Sequence, residues 1–243
     1  MSFLRNIAEK IVDAKNPTHQ SIRRLSRKEL EKRPTRTDVI NFVLGTIGGN
    51  LNYLEIGVRN PQDNFNHINA SNKYSVDPGV EYEENPVDFK MTSDEFFNAL
   101  RTGKVLNSQK FDAIFIDGLH LAEQVERDIN NSLEFIKDDG FIFMHDCNPP
   151  SEWHARETYT YKMSPAGGNW NGTTWKAFVQ ARKRIDIYSC CIDTDWGVGV
   201  ISKTKPLGKS NTVENRFYEY AVMEAKRRES LNLMSFDEFK KLF

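Results

Sequence analysis

The stretch Phe111-Asp112-Ala113-Ile114-Phe115-Ile116-Asp117-Gly118-Leu119-His120 decides the fold. An apolar run that stops on an acid, a glycine and a histidine reads as a strand buried on both faces of a parallel sheet. Polar residues at the carboxyl end of such a strand lie where open α/β sheets hold their ligands. Gly140-Phe141-Ile142-Phe143-Met144-His145-Asp146 repeats the pattern, so two neighbouring strands are expected to bring Asp117 and Asp146 to one edge.

Working outward, Leu51–Val58 is a strand ending at Glu55 and Gly57, and Lys73–Pro78 is a short strand with Asp77 at its end. Val87–Met91 reads as a weaker strand, and Thr92-Ser93-Asp94-Glu95 caps the helix that follows. A helix from about His120 to Lys137 repeats Leu121, Val125, Ile129, Leu133 and Ile136 at helical spacing. Helix and strand alternate, which implies a mostly parallel sheet with helices on both faces. Ile185–Ile192 and Gly197–Ile201 lie too close in sequence for a parallel crossover and are expected to pair as an antiparallel hairpin. Residues 1–36 form a basic N-terminal helical extension, 37–207 the core and 208–243 closing helices, the last from about Ser235 to Phe243. A helix start is expected at Thr37-Asp38, and one closing helix from Thr212 to about Ser230. Residues 147–174 form a long aromatic-rich insertion leaving directly from Asp146, the place for a lid. Its rings either stack on a substrate or pack the loop down. Trp175 and Lys176, just after it, either line the site or pack.

The chain has 243 residues, a formal charge of −1 and three cysteines. Balanced charge gives no general attraction to nucleic acid or membrane. No apolar run approaches the roughly 20 residues that cross a bilayer. Charged residues near the start break any signal-peptide core. The cysteines have neither disulfide-framework nor zinc spacing, so a cytoplasmic setting is expected. Oligomeric state is not encoded in any pattern here, and a homo-oligomer is open.

Leu54-Glu55-Ile56-Gly57, Val76-Asp77-Pro78, the Phe111–His120 stretch, Gly140–Asp146 and the terminal hairpin together resemble the class I S-adenosylmethionine-dependent methyltransferases. The likeness runs from about residue 37 to 203. Asp117-Gly118-Leu119-His120 followed by His145-Asp146 is most similar to a bacterial subgroup acting on sugars and antibiotic sugars. The resemblance implies a Rossmann-like, seven-stranded α/β sheet with one antiparallel strand. It also implies S-adenosylmethionine as cofactor: its methionine part near Glu55 and Gly57, its ribose hydroxyls on Asp77, its adenine near Ser93 and Asp94, and Asp117 close by. Asp94 reads equally well as a helix cap. The family's second glycine is replaced by the loop Val58-Arg59-Asn60-Pro61-Gln62-Asp63-Asn64.

Asp117 and Asp146 are candidates for a metal pair, because adjacent carboxylates repel unless a cation or proton lies between them. Oxygen ligands with open positions suit Mg²⁺, and Asn148 is the candidate third ligand. The alternative is a pair of aspartates capping the sheet edge. His120 has the pKa range of a general base, a role the resemblance also implies. His145 is expected to leave the opposite face of its strand, in a structural or supporting role. The sequence therefore points to an O-methyltransferase acting on a sugar or other polyhydroxylated small molecule with metal assistance. Two alternatives stay open: another metal-dependent enzyme on the same scaffold, hydroxylase-like or hydrolytic, or a noncatalytic subunit whose 58–64 loop has lost the cofactor.

Overall fold

The computed structural model describes residues 15–81, 84–161 and 163–243, so the start of the expected N-terminal helix lies outside the described residues. In chain order the elements are α1 (Pro17–Glu31), α2 (Arg36–Ile47), β1 (Asn52–Ile56), β2 (Asn72–Val76), α3 (Ser93–Arg101), β3 (Phe111–Ile116), α4 (Ala122–Phe135), β4 (Ile136–Met144), α5 (Thr174–Ala181), β5 (Tyr188–Ile192), β6 (Val198–Ser202), α6 (Tyr220–Ala225), α7 (Arg227–Leu231), β7 (Leu233–Met234) and α8 (Phe236–Lys240). The seven strands form one sheet in the order β2-β1-β3-β4-β6-β5-β7. Only β6 runs against its neighbours, β4 and β5. This is the Rossmann-like arrangement expected from the sequence, with the hairpin where its short connection required it.

Every residue of β3 is buried, and its period of two divides the interior into two apolar layers. Ile114 and Ile116, with Leu54, Ile56, Ile142 and Met144, face a layer closed by Phe96 and Phe97 of α3, Val125 and Ile129 of α4 and Phe178 of α5. Ala113 and Phe115, with Tyr53, Phe141 and Phe143, face Val39, Ile40, Val43 and Leu44 of α2 and Phe239 of α8. Among the described residues no helix is long and apolar enough to cross a membrane.

Four boundaries differ from expectation. Thr35, not Thr37, caps α2, sharing a capping box with Asp38. The expected strand at Val87–Met91 reduces to one parallel bridge, Val76 with Phe89. There the Asp88 carboxylate accepts from the Ser75 N–H at 2.9 Å and from its hydroxyl at 2.7 Å, a side chain taking the place of ladder bonds. The seventh strand is instead β7, parallel to β5. The single closing helix starts later, because the Asn215 side chain bonds both the N–H and the C=O of Glu219 and turns the chain just before α6, and it divides in two at Lys226, whose φ of −125° and ψ of 38° are not helical.

Candidate active site

The carboxyl ends of β1, β2, β3 and β4 open into a cavity of about 620 Å³. Gly57 follows β1 with φ at +90°, and a Cβ there would lie 2.2 Å from the Asp117 carbonyl oxygen. Gly57 is therefore demanded by the crowding of two strand ends as well as by its backbone angle.

Asp117 leaves β3 toward the α2 side of the sheet. His120, three residues on, has φ at +46°. Its carbonyl accepts from the Thr173 N–H at 2.8 Å, so the far end of the insertion fixes its position. The imidazole bridges the two carboxylates, with Nε2 3.2 Å from Asp117 Oδ1 and Nδ1 3.0 Å from Asp146 Oδ2. Asp146 also accepts from the buried amide of Asn171 at 2.7 Å. Trp170 stacks on His120 with ring centres 5.3 Å apart, and Tyr159 leans on Trp170.

His145 does not leave the opposite face. Strand pairing ends at Met144, and Asp146 adopts φ of +60°, so strand alternation no longer governs these two residues. His145 Nδ1 lies 3.3 Å from Asp117 Oδ1, and its Nε2 lies 3.3 Å from Asp195 Oδ1. Arg36, the first residue of α2, completes the group: Nη1 is 3.3 Å from Asp195 Oδ2 and Nε is 4.0 Å from Asp117 Oδ2. Its backbone N–H donates to Asp195 at 2.7 Å, so an acid from the β5–β6 turn covers a helix N-terminus.

Charge is balanced inside this cluster. Burial alone would raise the Asp117 carboxyl, but His145, His120 and Arg36 hold it well below the usual range. Burial would lower the His120 imidazole, yet Asp146 and Asp117 outweigh it and raise it to about 9. His145 is raised by Asp117 and Asp146 against the same burial penalty. Glu55 is different: burial pushes it up to about 7, offset in part by the Tyr53 hydroxyl at 2.6 Å and the Asn64 amide at 2.8 Å.

Asp117, His120 and Asp146 each offer a donor atom within 4.8 Å of the others. The two carboxylates fit a divalent cation, with His120 beside them rather than a ligand because both of its nitrogens face carboxylates, and the buried Asn171 Oδ1 has no hydrogen-bond partner. Asn148 is not part of this group. Its amide donates to Asp193 at 3.0 Å and its oxygen accepts from Arg227 at 2.5 Å, which turns the side chain away. Asp77 and Ser93 line the cavity, and Asp77 Oδ1 accepts from the Gly79 N–H at 2.6 Å. Asp94 is exposed and paired with Arg127 at 3.2 Å. Trp175 is a packing residue, fully buried against Tyr220.

Arg36, Asp195 and Asn171 are absent from the sequence expectation. Only Arg36 carried a usable signal, since the Thr35–Asp38 capping box places it at the mouth of the sheet.

A family profile described as a methyltransferase domain matches residues 11–147. No curated protein matches. Among solved structures, the O-methyltransferase from Bacillus cereus in complex with SAH is similar at 14% identity and a TM-score of 0.42, over 80% of this chain and 95% of that one. The O-methyltransferase TomG from Streptomyces achromogenes, involved in tomaymycin synthesis and solved with SAM, is similar at 11% identity and a TM-score of 0.43, over 78% and 91%. The SAH-bound methyltransferase PaMTH1 of Podospora anserina is similar at 13% identity and a TM-score of 0.41, over 83% and 95%.

Proposed function

Because the chain belongs to the methyltransferase-domain family, as a class I S-adenosylmethionine-dependent methyltransferase, we propose that it methylates a hydroxyl oxygen of a sugar or other polyhydroxylated small molecule, with Mg²⁺ held by Asp117 and Asp146. The observation that carries this reading is the convergence of Asp117, His120 and Asp146 in one cavity with Gly57 and Asp77. Asp117 and Asp146 would hold the cation, and when bound it would lower the pKa of the acceptor hydroxyl.

The chain's own groups divide the remaining work. The backbone at Gly57 and the Glu55 carboxylate receive the methionine end of the cofactor, and Asp77 accepts from its ribose hydroxyls. Trp170 and Tyr159 line the cavity beside Asp117, His120 and Asp146 and offer ring surface for the C–H face of a sugar ring. His120 accepts the proton of the acceptor hydroxyl. It holds a proton of its own as long as it bridges two carboxylates, so it acts as a base only once that bridge is broken. The hydroxyl oxygen then forms a bond to the methyl carbon while the carbon–sulfur bond breaks. The bond's electrons stay on sulfur, giving S-adenosylhomocysteine, and the proton rests on His120.

Calorimetric titration with S-adenosylhomocysteine tests the cofactor; no binding at millimolar ligand overturns the cofactor assignment. Treatment with EDTA is expected to abolish methyl transfer and added Mg²⁺ to restore it. A rate indifferent to EDTA removes the cation from the mechanism and leaves methyl transfer standing. A panel of acceptors with and without adjacent hydroxyls decides the substrate class.

A further inference from the structure

One buried hydroxyl serves a helix other than its own. Thr173 is the N-cap residue of α5, where a threonine hydroxyl ordinarily accepts from an N–H of the first turn that follows it. It makes no such bond. Thr173 Oγ1 accepts instead from the Ala122 N–H, the first of α4, at 2.7 Å. Leu121, the N-cap residue of α4, has no side-chain oxygen, so that helix takes its cap from the end of the insertion.

The Thr173 N–H donates to the His120 carbonyl at 2.8 Å, and the two bonds together bracket residues 120–122. Gly172 has φ of +60°, and a Cβ there would collide with the same carbonyl, so the backbone of the insertion lies directly against His120. His120 itself has φ of +46°. A residue other than glycine holds such a conformation only where its surroundings over-determine it. Thr173 is 3% exposed and is not among the residues that line the cavity, so it reaches the chemistry only through His120.

We propose that Thr173 is a positioning residue. Its hydroxyl and its N–H hold His120 in the left-handed conformation that sets the imidazole between Asp117 and Asp146. This rests on the reading of His120 as the base. It also assigns a role to the far end of the insertion. Residues 170–173 cannot lift from the sheet edge without leaving α4 uncapped, so opening of the insertion is confined to residues before Trp170.

The test compares Thr173→Val, which keeps the shape of the side chain and removes the acceptor, with Thr173→Ser, which keeps the hydroxyl. It is read from the histidine ring resonances of the ¹⁵N-labelled full chain, those of His120 being the ones lost in His120→Ala. Thr173→Val is expected to shift the His120 ring signals while leaving those of His67, far from the insertion, in place. Exchange of the Ala122 amide is expected to quicken by about 10-fold or more, the worth of one hydrogen bond. Affinity for S-adenosylhomocysteine, measured calorimetrically, is expected to stay within a few-fold. Thr173→Ser is expected to restore both the His120 signals and the slow exchange. Unmoved His120 signals in folded Thr173→Val overturn the proposal, as does a Thr173→Ser chain shifted as far as Thr173→Val. Loss of S-adenosylhomocysteine binding in Thr173→Val overturns it too, because the residue then holds up the cavity rather than His120. If Thr173→Val does not fold, the wild-type chain decides. First-turn amides of a helix ordinarily exchange freely, so protection of Ala122 supports the external cap and unprotected exchange overturns it. These results leave the base assignment untouched, whereas a wild-type rate in His120→Ala overturns that assignment and this proposal with it.

Discussion

At the level of single residues, the candidate cluster is built from four strand-end positions, His145 among them, and three groups that reach them from elsewhere. Asp117, His120 and Asp146 stand where an apolar run stops, and that made them legible: a buried strand cannot end on an acid without placing it at the sheet edge. Arg36 and Asp195 come from a helix start and a hairpin turn, and Asn171 comes from the end of a long insertion, so no periodicity announces them. His145 was misplaced because side-chain alternation was carried one residue past the last paired position of β4. The division of roles within the cluster can be tested one residue at a time. Replacing His120 with alanine is expected to reduce kcat by about 10²- to 10⁴-fold, the usual worth of a positioned base, while affinity for S-adenosylhomocysteine measured calorimetrically stays within a few-fold. A wild-type rate removes His120 as the base. Gly57→Ala makes the opposite kind of prediction. At φ of +90°, with the new Cβ 2.2 Å from the Asp117 carbonyl, β1 and β3 must separate at their ends. The expected cost is about 3 kcal/mol or more by urea denaturation, together with loss of cofactor binding. Unchanged stability is incompatible with the close approach described here.

At the level of elements, hydrophobic period and connection length were enough to give the parallel strands and the terminal hairpin, though not β7. The short Asp193–Trp196 connection required the hairpin. Elements failed where a side chain replaced backbone bonding, as Asp88 does beside β2 and Asn215 does before α6. The 147–174 insertion is held down by buried polar contacts that no pattern encodes. His154, fully buried, joins it to α1. Ser26 Oγ donates to the Ile22 carbonyl at 3.2 Å, so the His154 Nε2–H donates to Ser26 at 2.8 Å and Nδ1 accepts from Ser151 at 2.7 Å. Burial lowers His154 to about 4, which keeps the ring neutral and able to do both. Ser26→Ala orphans the ring N–H, at an expected cost of about 1–3 kcal/mol. The gain in hydrogen exchange is expected to fall on α1 and the insertion and to spare β3 and β4. Uniformly faster exchange across the sheet rules out a local pin.

At the level of the whole molecule, the two apolar layers hold the sheet rigid, and its mouth gathers Asp117, Asp146, Asp195 and Glu55 against Arg36, His120 and His145. Such a mouth gives global stability a direction in pH. Glu55 rises from 4.5 to about 7 on folding, because burial disfavours its charged form. A group whose folded pKa lies above its unfolded value stabilises fully below the unfolded pKa and ceases to do so as pH passes the folded one. His120 rises from 6.5 to about 9 and obeys the same rule, losing its contribution across that higher interval as it gives up the proton paired with Asp146 and Asp117. Asp117 and Asp195 are lowered, so their contribution is lost only in acid, below the usual carboxylate range. His154, lowered from 6.5 to about 4, works the other way and offsets Glu55 over nearly the same interval, so stability is expected to stay about level up to pH 7 and to fall from there toward pH 9. Each of the two rising groups contributes at most about 3 kcal/mol. Urea denaturation at stepped pH values measures the slope. Glu55→Gln keeps the acceptor for Tyr53 and Asn64 but removes the ionisation. It is expected to raise stability above pH 7 and to leave the rise from His154 unopposed below it, while weakening affinity for S-adenosylhomocysteine through the lost carboxylate. Stability that instead climbs steadily from pH 5 to pH 9 is inconsistent with protonated Glu55 and His120 at the mouth, and with the charge balance on which the cluster rests.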